Sequence, residues 1–423
     1  MSIHDKDELA LFGGAPVRSV PFPPHPVIGD AEKQAVMEVL DSGRLSSFIA
    51  APGVFFLGGE RIKELERRFA EAHGVAHAVS FNSATAALHA AVVAVGVQPG
   101  DEVIVPPYTF TSTATCALMQ NAVPVFADIE ADYYCLDPAA AEAAITGLTR
   151  ALVPVHLFGQ PADIHAVVDL ARRRGVKVIE DCAQAPFATV GDRRVGTFGD
   201  CGIFSFTESK TMTTGEGGML ITDDPEIARI AQMVRNHGEM IVEGQKSRSY
   251  RTDFLGWNYR MTEMEAALGI VQLGRLPELN ETRVRLADHL SKGLADLPGL
   301  APPALRPGSQ HVYYVYPFTF DEDAAGCPRA DFVRAMAAEG IPLGAGYVAP
   351  LYMSPIYQDR AAAAFRHYEG SARYDKGLCP VTERMYEREV VLTGVARAPA
   401  TEADMDDIVA AAAKVLGQAH RLG

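Results

Sequence analysis

Asp181 and Lys210 are the residues of this sequence best placed to do chemistry. Asp181 ends the apolar run "VKVIED", so it should stand at the carboxyl end of a strand. A carboxylate there can salt-bridge a heterocyclic nitrogen and keep it protonated, which in pyridoxal phosphate chemistry makes the ring an electron sink for a carbanion. Lys210 follows the strand-like "CGIFSF" and precedes "GEGG", whose glycines let backbone pass close to a bound group. An amine in such a place can form a Schiff base with an aldehyde and then carry a proton between two carbons. Each residue also has a plainer reading: Asp181 as a helix cap or turn residue, Lys210 as a solvated surface charge.

Other segments offer what a flat, phosphorylated cofactor needs. "FNSATAALHAA" puts Ser83, Ala84 and Thr85 at the start of a helix, where backbone N–H groups, hydroxyls and the helix dipole attract an anion. Ser205 can add a hydroxyl to the same group. "PPYTFTSTAT" supplies Phe110, and second to it Tyr108, as a ring to stack on one face, and Gln184 lies three residues beyond Asp181. Alone, the serine segment is equally an N-cap and the aromatic pair equally core.

These residues meet only if strands end side by side. Between residues 60 and 225 helical and strand-like runs alternate: "GERIKELERRFAEAHG" places Ile62, Leu65 and Phe69 on one helical face, and "DEVIVPP", "AVPVFADI", "ALVPVHLFG" and "VKVIEDC" are short and β-rich. Helical "DPAAAEAAI" and "DIHAVVDLARRRG" fall between them. That rhythm predicts an α/β fold with a mostly parallel sheet and ligands at the strands' carboxyl ends. The stretch from "GWNYRM" to "GLADL" reads as two helices leading out of this unit, and the Pro-rich "PGLAPPALRPG" marks a break. The expected division is an N-terminal arm (1–30), a large α/β domain (31–295) and a small α+β domain (296–423) closed by a helix capped at Thr401.

The bulk numbers narrow the function. The 38 basic residues against 53 acidic give a net charge of -15, which argues against nucleic acid as a partner. The six cysteines have no CxxC pair or metal-ligand spacing, so no metal is expected and they read as reduced structural thiols. The charged N-terminus does not resemble a signal peptide, and no membrane-length apolar run occurs; a cytoplasmic protein is expected.

Taken in order, "NSATAAL", "DEVIVPPYTFTSTA", "PVHLFGQPADI", "VIEDCAQA", "FSFTESKTMTTGEGGML", "RNHG" and "GWNYRMTEMEAALGIVQL" resemble the DegT/DnrJ/EryC1/StrS aminotransferases. These are pyridoxal phosphate enzymes of the fold-type I (aspartate aminotransferase) superfamily. The resemblance covers nearly the whole chain, from "GGAPVR" to the closing helix. It implies a seven-stranded, mostly parallel sheet, with Lys210 holding the cofactor as a Schiff base and Asp181 pairing with the pyridine nitrogen. It also implies phosphate contacts from Ser83, Ala84, Thr85 and Ser205, and Gln184 over the ring. Asn258 would reach the phosphate from the neighbouring subunit of a homodimer. Three small departures stand out: Ala84 where many relatives carry glycine, Gln184 where many carry histidine, and "TESK", which places Glu208 close to the lysine.

The resemblance further implies a ping-pong amino transfer from L-glutamate or L-glutamine to a keto-sugar, nucleotide-linked in the first reading and a free cyclitol ketone in the alternative. Residues expected to line the acceptor site are Phe56, His237, His311, Tyr313, Tyr347 and the loop "VAPLYMSPIY"; each also fits packing between domains or subunits. Two other activities exist as alternatives. A sugar dehydratase of this type characteristically replaces the lysine with histidine, against which Lys210 stands. A non-catalytic cofactor-binding regulator would not need the base that Lys210 provides.

Overall fold

The computed structural model describes residues 8–48, 55–239, 252 and 254–422. Its centre is a seven-stranded sheet of β1 (His77–Phe81), β2 (Glu102–Val105), β3 (Val123–Phe126), β4 (Thr149–Leu152), β5 (Lys177–Asp181), β6 (Cys201–Ser205) and β7 (Gly218–Thr222). The order across the sheet is β1-β7-β6-β5-β4-β2-β3, and β7 alone runs antiparallel to its neighbours. β2, β6 and β7 are buried at every residue, which is why their sequences are continuous apolar runs rather than alternating ones.

Helices cover both faces. They are α1 (Asp30–Ser42), α2 (Glu60–His73), α3 (Ala84–Ala94), α4 (Ser112–Met119), α5 (Pro138–Ala144), α6 (Ile164–Arg174), α7 (Pro225–Arg235) and α8 (Glu263–Leu294). Successive strand residues point to opposite faces, so Ile203 and Leu220 pack with α3 and α7 while Phe204 and Ile221 pack with α2 and the first half of α8. α2 buries Ile62, Leu65 and Phe69 and stops at Gly74 in the left-handed region, φ 70°. Ser83, Asp137, Asp163 and Asp224 each accept a first-turn N–H, which fixes where α3, α5, α6 and α7 begin.

This topology positions the site. The parallel strands β1, β5 and β6 end at one edge of the sheet, and β7 starts there, with Gly218 opposite both Phe81 and Ser205. Asp181 is the last residue of β5, Ser205 the last of β6, and Ser83 follows β1 by two residues.

A second, antiparallel sheet is built from β8 (Leu300–Ala301), β9 (Tyr316–Phe320), β10 (Gly344–Ala345) and β11 (Val390–Thr393) in the order β8-β9-β11-β10. Its core contains Phe318, Phe320 and Phe332, together with Leu286, Leu290 and Leu294 from α8. The closing helix Glu402–Leu416 starts with a capping box between Thr401 and Asp404. The reading of "GWNYRM" to "GLADL" as two helices is corrected: α8 is one helix of 32 residues that runs through Pro277. Proline removes one backbone bond. Burial of Ala266, Leu273 and Leu276 on one side of it and Leu286 and Leu290 on the other offsets that loss. The N-terminal segment is tied down by the buried carboxylate of Glu339, which accepts from Ala10 N at 2.8 Å, Val17 N at 3.0 Å and Lys414 Nζ at 2.9 Å.

Candidate active site

Asp181, Lys210, Ser83, Ala84, Thr85, Ser205, Phe110, Gln184 and Tyr347 all line one cavity of about 350 Å³. Asp181 forms its floor, only 3% exposed. Its Oδ2 accepts from Thr113 Oγ1 at 2.8 Å and its Oδ1 from Ala183 N at 3.1 Å. Burial pushes its pKa above the ordinary carboxylate value, against the pull of those two hydrogen bonds and the Lys210 charge. A cation placed in the cavity beside this carboxylate would offset that burial.

Lys210 sits in the turn after β6, where its N–H donates to Thr207 O at 2.9 Å. Its carbonyl lies 3.2 Å from His25 Nε2, and its Nζ stands 4.3 Å from the centre of the Tyr314 ring. Thr207, Ser209, Glu216 and Tyr314 share the cavity wall with it, while Glu208 is exposed and outside the lining.

The anion end is the N-terminus of α3. Ser83 Oγ accepts from Ala86 N at 3.1 Å, and Ser83, Ala84 and Thr85 line the cavity together with Ser205. The glycine pair of "GEGG" makes this approach possible. A Cβ on Gly218 would fall 2.5 Å from Ala84 N, and one on Gly217 would fall 2.5 Å from Thr214 Oγ1 at a φ of 154°. A side chain on Gly218 would push against the Ser83–Ala84 backbone that opens α3, and one on Gly217 against the packed Thr214, Met261 and Phe206.

At the other end Gln184 donates Nε2 to Tyr347 Oη at 2.9 Å and accepts Phe158 N at 2.7 Å. Burial pushes the Tyr347 phenol up to about 12. Tyr108 lies behind the lining, fully buried and edge-on to Tyr347 at 5.8 Å, so the cavity ring is Phe110.

Five residues expected at the site lie outside this lining. His311 and Tyr313 are buried and stacked on each other at 3.9 Å, and His311 Nδ1 accepts from Tyr313 N at 2.9 Å. Burial lowers the His311 pKa to about 3. His237 is exposed, with Nε2 3.3 Å from Arg260 Nη2; Asn258, also exposed, accepts from Arg260 Nε at 2.9 Å. Phe56 is half-buried and not part of the lining. Of the loop "VAPLYMSPIY", Leu351, Tyr352 and Tyr357 belong to the core.

Sequence reasoning missed Thr113 and Tyr314. The first sits in the hydroxyl-rich "TFTSTAT", the second next to the residue that was chosen. The tightest group of metal-ligand types among the described residues, His156, Glu180 and Cys182, is already committed. Glu180 accepts from Gly196, Phe198 and Gly199 N–H groups and pairs with His156 Nε2, while His156 Nδ1 accepts from Ala162 N.

A helix N-terminus packed closely on Gly218, a buried carboxylate and a lysine all meet at one cavity. They fit pyridoxal phosphate, and on this sheet they define a fold-type I pyridoxal phosphate enzyme. The chain belongs to the DegT/DnrJ/EryC1/StrS aminotransferase family, which residues 26–412 match, and is a pyridoxal phosphate-dependent aminotransferase. It is 39% identical to the L-glutamine:2-deoxy-scyllo-inosose aminotransferase of Streptoalloteichus tenebrarius, over 96% of this chain and 97% of that one. It is 36% identical to the spore coat polysaccharide biosynthesis protein SpsC of Bacillus subtilis, over 83% and 89%. Among solved structures, the aminotransferase from Psychrobacter cryohalolentis superposes with a TM-score of 0.83 at 29% identity, covering 95% of this chain and all of the other. No helix among the described residues is long and apolar enough to cross a membrane.

Proposed function

We propose that the chain moves an amino group from L-glutamine to a polyhydroxylated cyclic ketone, with an inosose-type cyclitol as the foremost acceptor. The observation that carries this reading is the meeting of Lys210, Asp181 and the α3 N-terminus around one cavity. The donor and acceptor are supported by the activity named for the relative from Streptoalloteichus tenebrarius. A keto-sugar, nucleotide-linked as the sequence first suggested, is the second reading, supported by the similarity to a polysaccharide biosynthesis protein.

When bound, pyridoxal phosphate supplies the electron sink for the carbanion at the substrate carbon. Asp181 holds the ring nitrogen protonated, and Thr113 and Ala183 hold Asp181 in place. Ser83, Ala84, Thr85 and Ser205 bind the phosphate. Phe110 and Gln184, which line the cavity, would contact its ring. Lys210 Nζ would hold the cofactor at rest and, once the donor's amine had displaced it, its free neutral amine would carry the proton from the donor's α-carbon to the cofactor side, with the reverse transfer for the acceptor.

We also infer a homodimer in which Asn258 of a second copy completes the phosphate site and Phe56 and His237 lie at the seam. Its support is that Asn258 and His237 are exposed in the single chain and that α1 exposes Met37 and Leu40, 52% and 47%. Mixing Lys210→Ala with Asn258→Ala subunits should restore activity that neither has alone; no restoration would count against the shared site. A cytoplasmic location is inferred from six cysteines that are all buried and unpaired.

The function is tested with the cofactor-loaded protein, L-glutamine or L-glutamate, and either an inosose or a nucleotide-linked keto-sugar, with the aminated product followed by mass spectrometry. Glutamine with the inosose should give the amine. Product from the nucleotide-linked ketone alone would select the second reading, and product from neither would overturn both.

A further inference from the structure

We infer that Tyr314 is the positioning residue of Lys210: it places the amine at the reacting centre and its ring face favours positive charge on the nitrogen in the resting, cofactor-linked state. The inference rests on the reading of Lys210 as the lysine that bears the cofactor.

Tyr314 reaches the cavity wall from the lead-in to β9, on the side of the second sheet. Its ring lies under Lys210 Nζ at 4.3 Å, and its Oη is 3.1 Å from Ser209 Oγ, in the residue before the lysine. One side chain thus meets the lysine through its ring face and the lysine's loop through its hydroxyl.

Three costly features converge on the backbone that carries this ring. Arg283, 2% exposed, donates Nη1 to Tyr313 O at 3.0 Å and to Tyr314 O at 2.9 Å. No carboxylate pairs with Arg283 among the described residues, and burial brings its pKa down to about 9. A guanidinium taken out of water onto carbonyls alone is expensive. Tyr313 is held in the left-handed region at φ 47°, unusual for a bulky residue. Gly159 closes from behind, where a Cβ would fall 2.8 Å from Tyr313 N and 3.1 Å from Tyr314 N. Such strain persists where the surroundings over-determine a conformation, and what this conformation delivers is the Tyr314 ring.

The face of an aromatic ring attracts a cation by its quadrupole. The charged and titratable groups facing the lysine from other elements are Asp181 of β5, His25 at its carbonyl, and Tyr314 and Tyr347. Its own loop adds Glu208 and Glu216, while the charges of Arg283 and Arg397 act on both Tyr314 and His25. Of these, among the described residues, Tyr314 alone sets a ring face against Nζ.

The test is the pH midpoint of the visible band of the lysine-linked cofactor, read without substrate in wild type, Tyr314→Phe, Tyr314→Trp and Tyr314→Leu. Leucine removes the ring and should lower the midpoint by about 0.5–1.5 pH units. Phenylalanine should stay close to wild type, and tryptophan should equal or exceed it. A midpoint that is the same in leucine and wild type, whatever the melting temperatures, overturns the role. If the leucine protein does not fold, a tryptophan midpoint below that of phenylalanine overturns it instead. Lys210→Ala is read alongside and must lack the band; a band that persists there breaks the assignment of Lys210 itself and leaves the role of Tyr314 without a subject.

Discussion

Asp181, at the floor of the cavity, is 3% exposed and hydrogen-bonded from both sides, whereas Phe110, at the mouth, is 58% exposed. The floor is fixed by the sheet itself: Gly218 lies opposite Phe81 and Ser205, so strand register sets the spacing of the phosphate cradle. The mouth is marked by exposed Phe110 and Glu216, with His237 and Asn258 on exposed surface outside the lining. Close packing leaves the floor one geometry, which suits a step that tolerates little displacement. The open mouth is where acceptor choice and a second copy can act.

That contrast predicts a graded series of effects. Lys210→Ala, which removes the proton carrier, should reduce amino transfer by roughly 10²–10⁴-fold or more, with circular dichroism and melting unchanged. Asp181→Asn should come next, at roughly 10²–10³-fold.

Asp181→Asn also has a pH signature in the cofactor-free protein. Because burial raises the pKa of Asp181 above the ordinary 3.8, the folded state binds its proton more tightly than the unfolded chain. The stability of wild type relative to the asparagine variant should therefore fall as pH rises from that value through the raised one. Wild type gaining on the variant over that range would show that Asp181 is satisfied without a cation.

Gly218→Ala sets a Cβ against Ala84 N and should cost about 1–3 kcal/mol, seen as a lower melting temperature and weaker cofactor binding. At the mouth, Phe110→Ala should weaken cofactor binding by the worth of one aromatic stack, about 0.5–1.5 kcal/mol, and leave melting alone. A Phe110 variant that melts like Gly218→Ala would erase the distinction between floor and mouth.

The same distinction governs what the sequence made legible. Asp181, Lys210 and Ser83–Thr85 sit on local signals: a strand's last carboxylate, a lysine before glycines, small residues opening a helix. The parallel sheet was readable because its buried strands are unbroken apolar runs. Thr113 and the approach of Gly218 to Ala84 depend on contacts between distant segments, which no local pattern encodes. "HVYYVY" shows a sharper failure. Extended alternation pairs His311 with Tyr313, and they do share a face, but that face is the core. The left-handed turn at Tyr313 swings the next residue to the cavity, so the lining residue is Tyr314. Likewise, the stretch from "GWNYRM" to "GLADL" reads as two helices, and burial on both sides of Pro277 is what keeps it one.

The most direct measurement is borohydride reduction of the cofactor-loaded protein followed by peptide mass spectrometry. The reduced cofactor should be found on the peptide that contains Lys210, and on that lysine. Its attachment to another lysine, or to none, would contradict the assignment of this cavity as the active site.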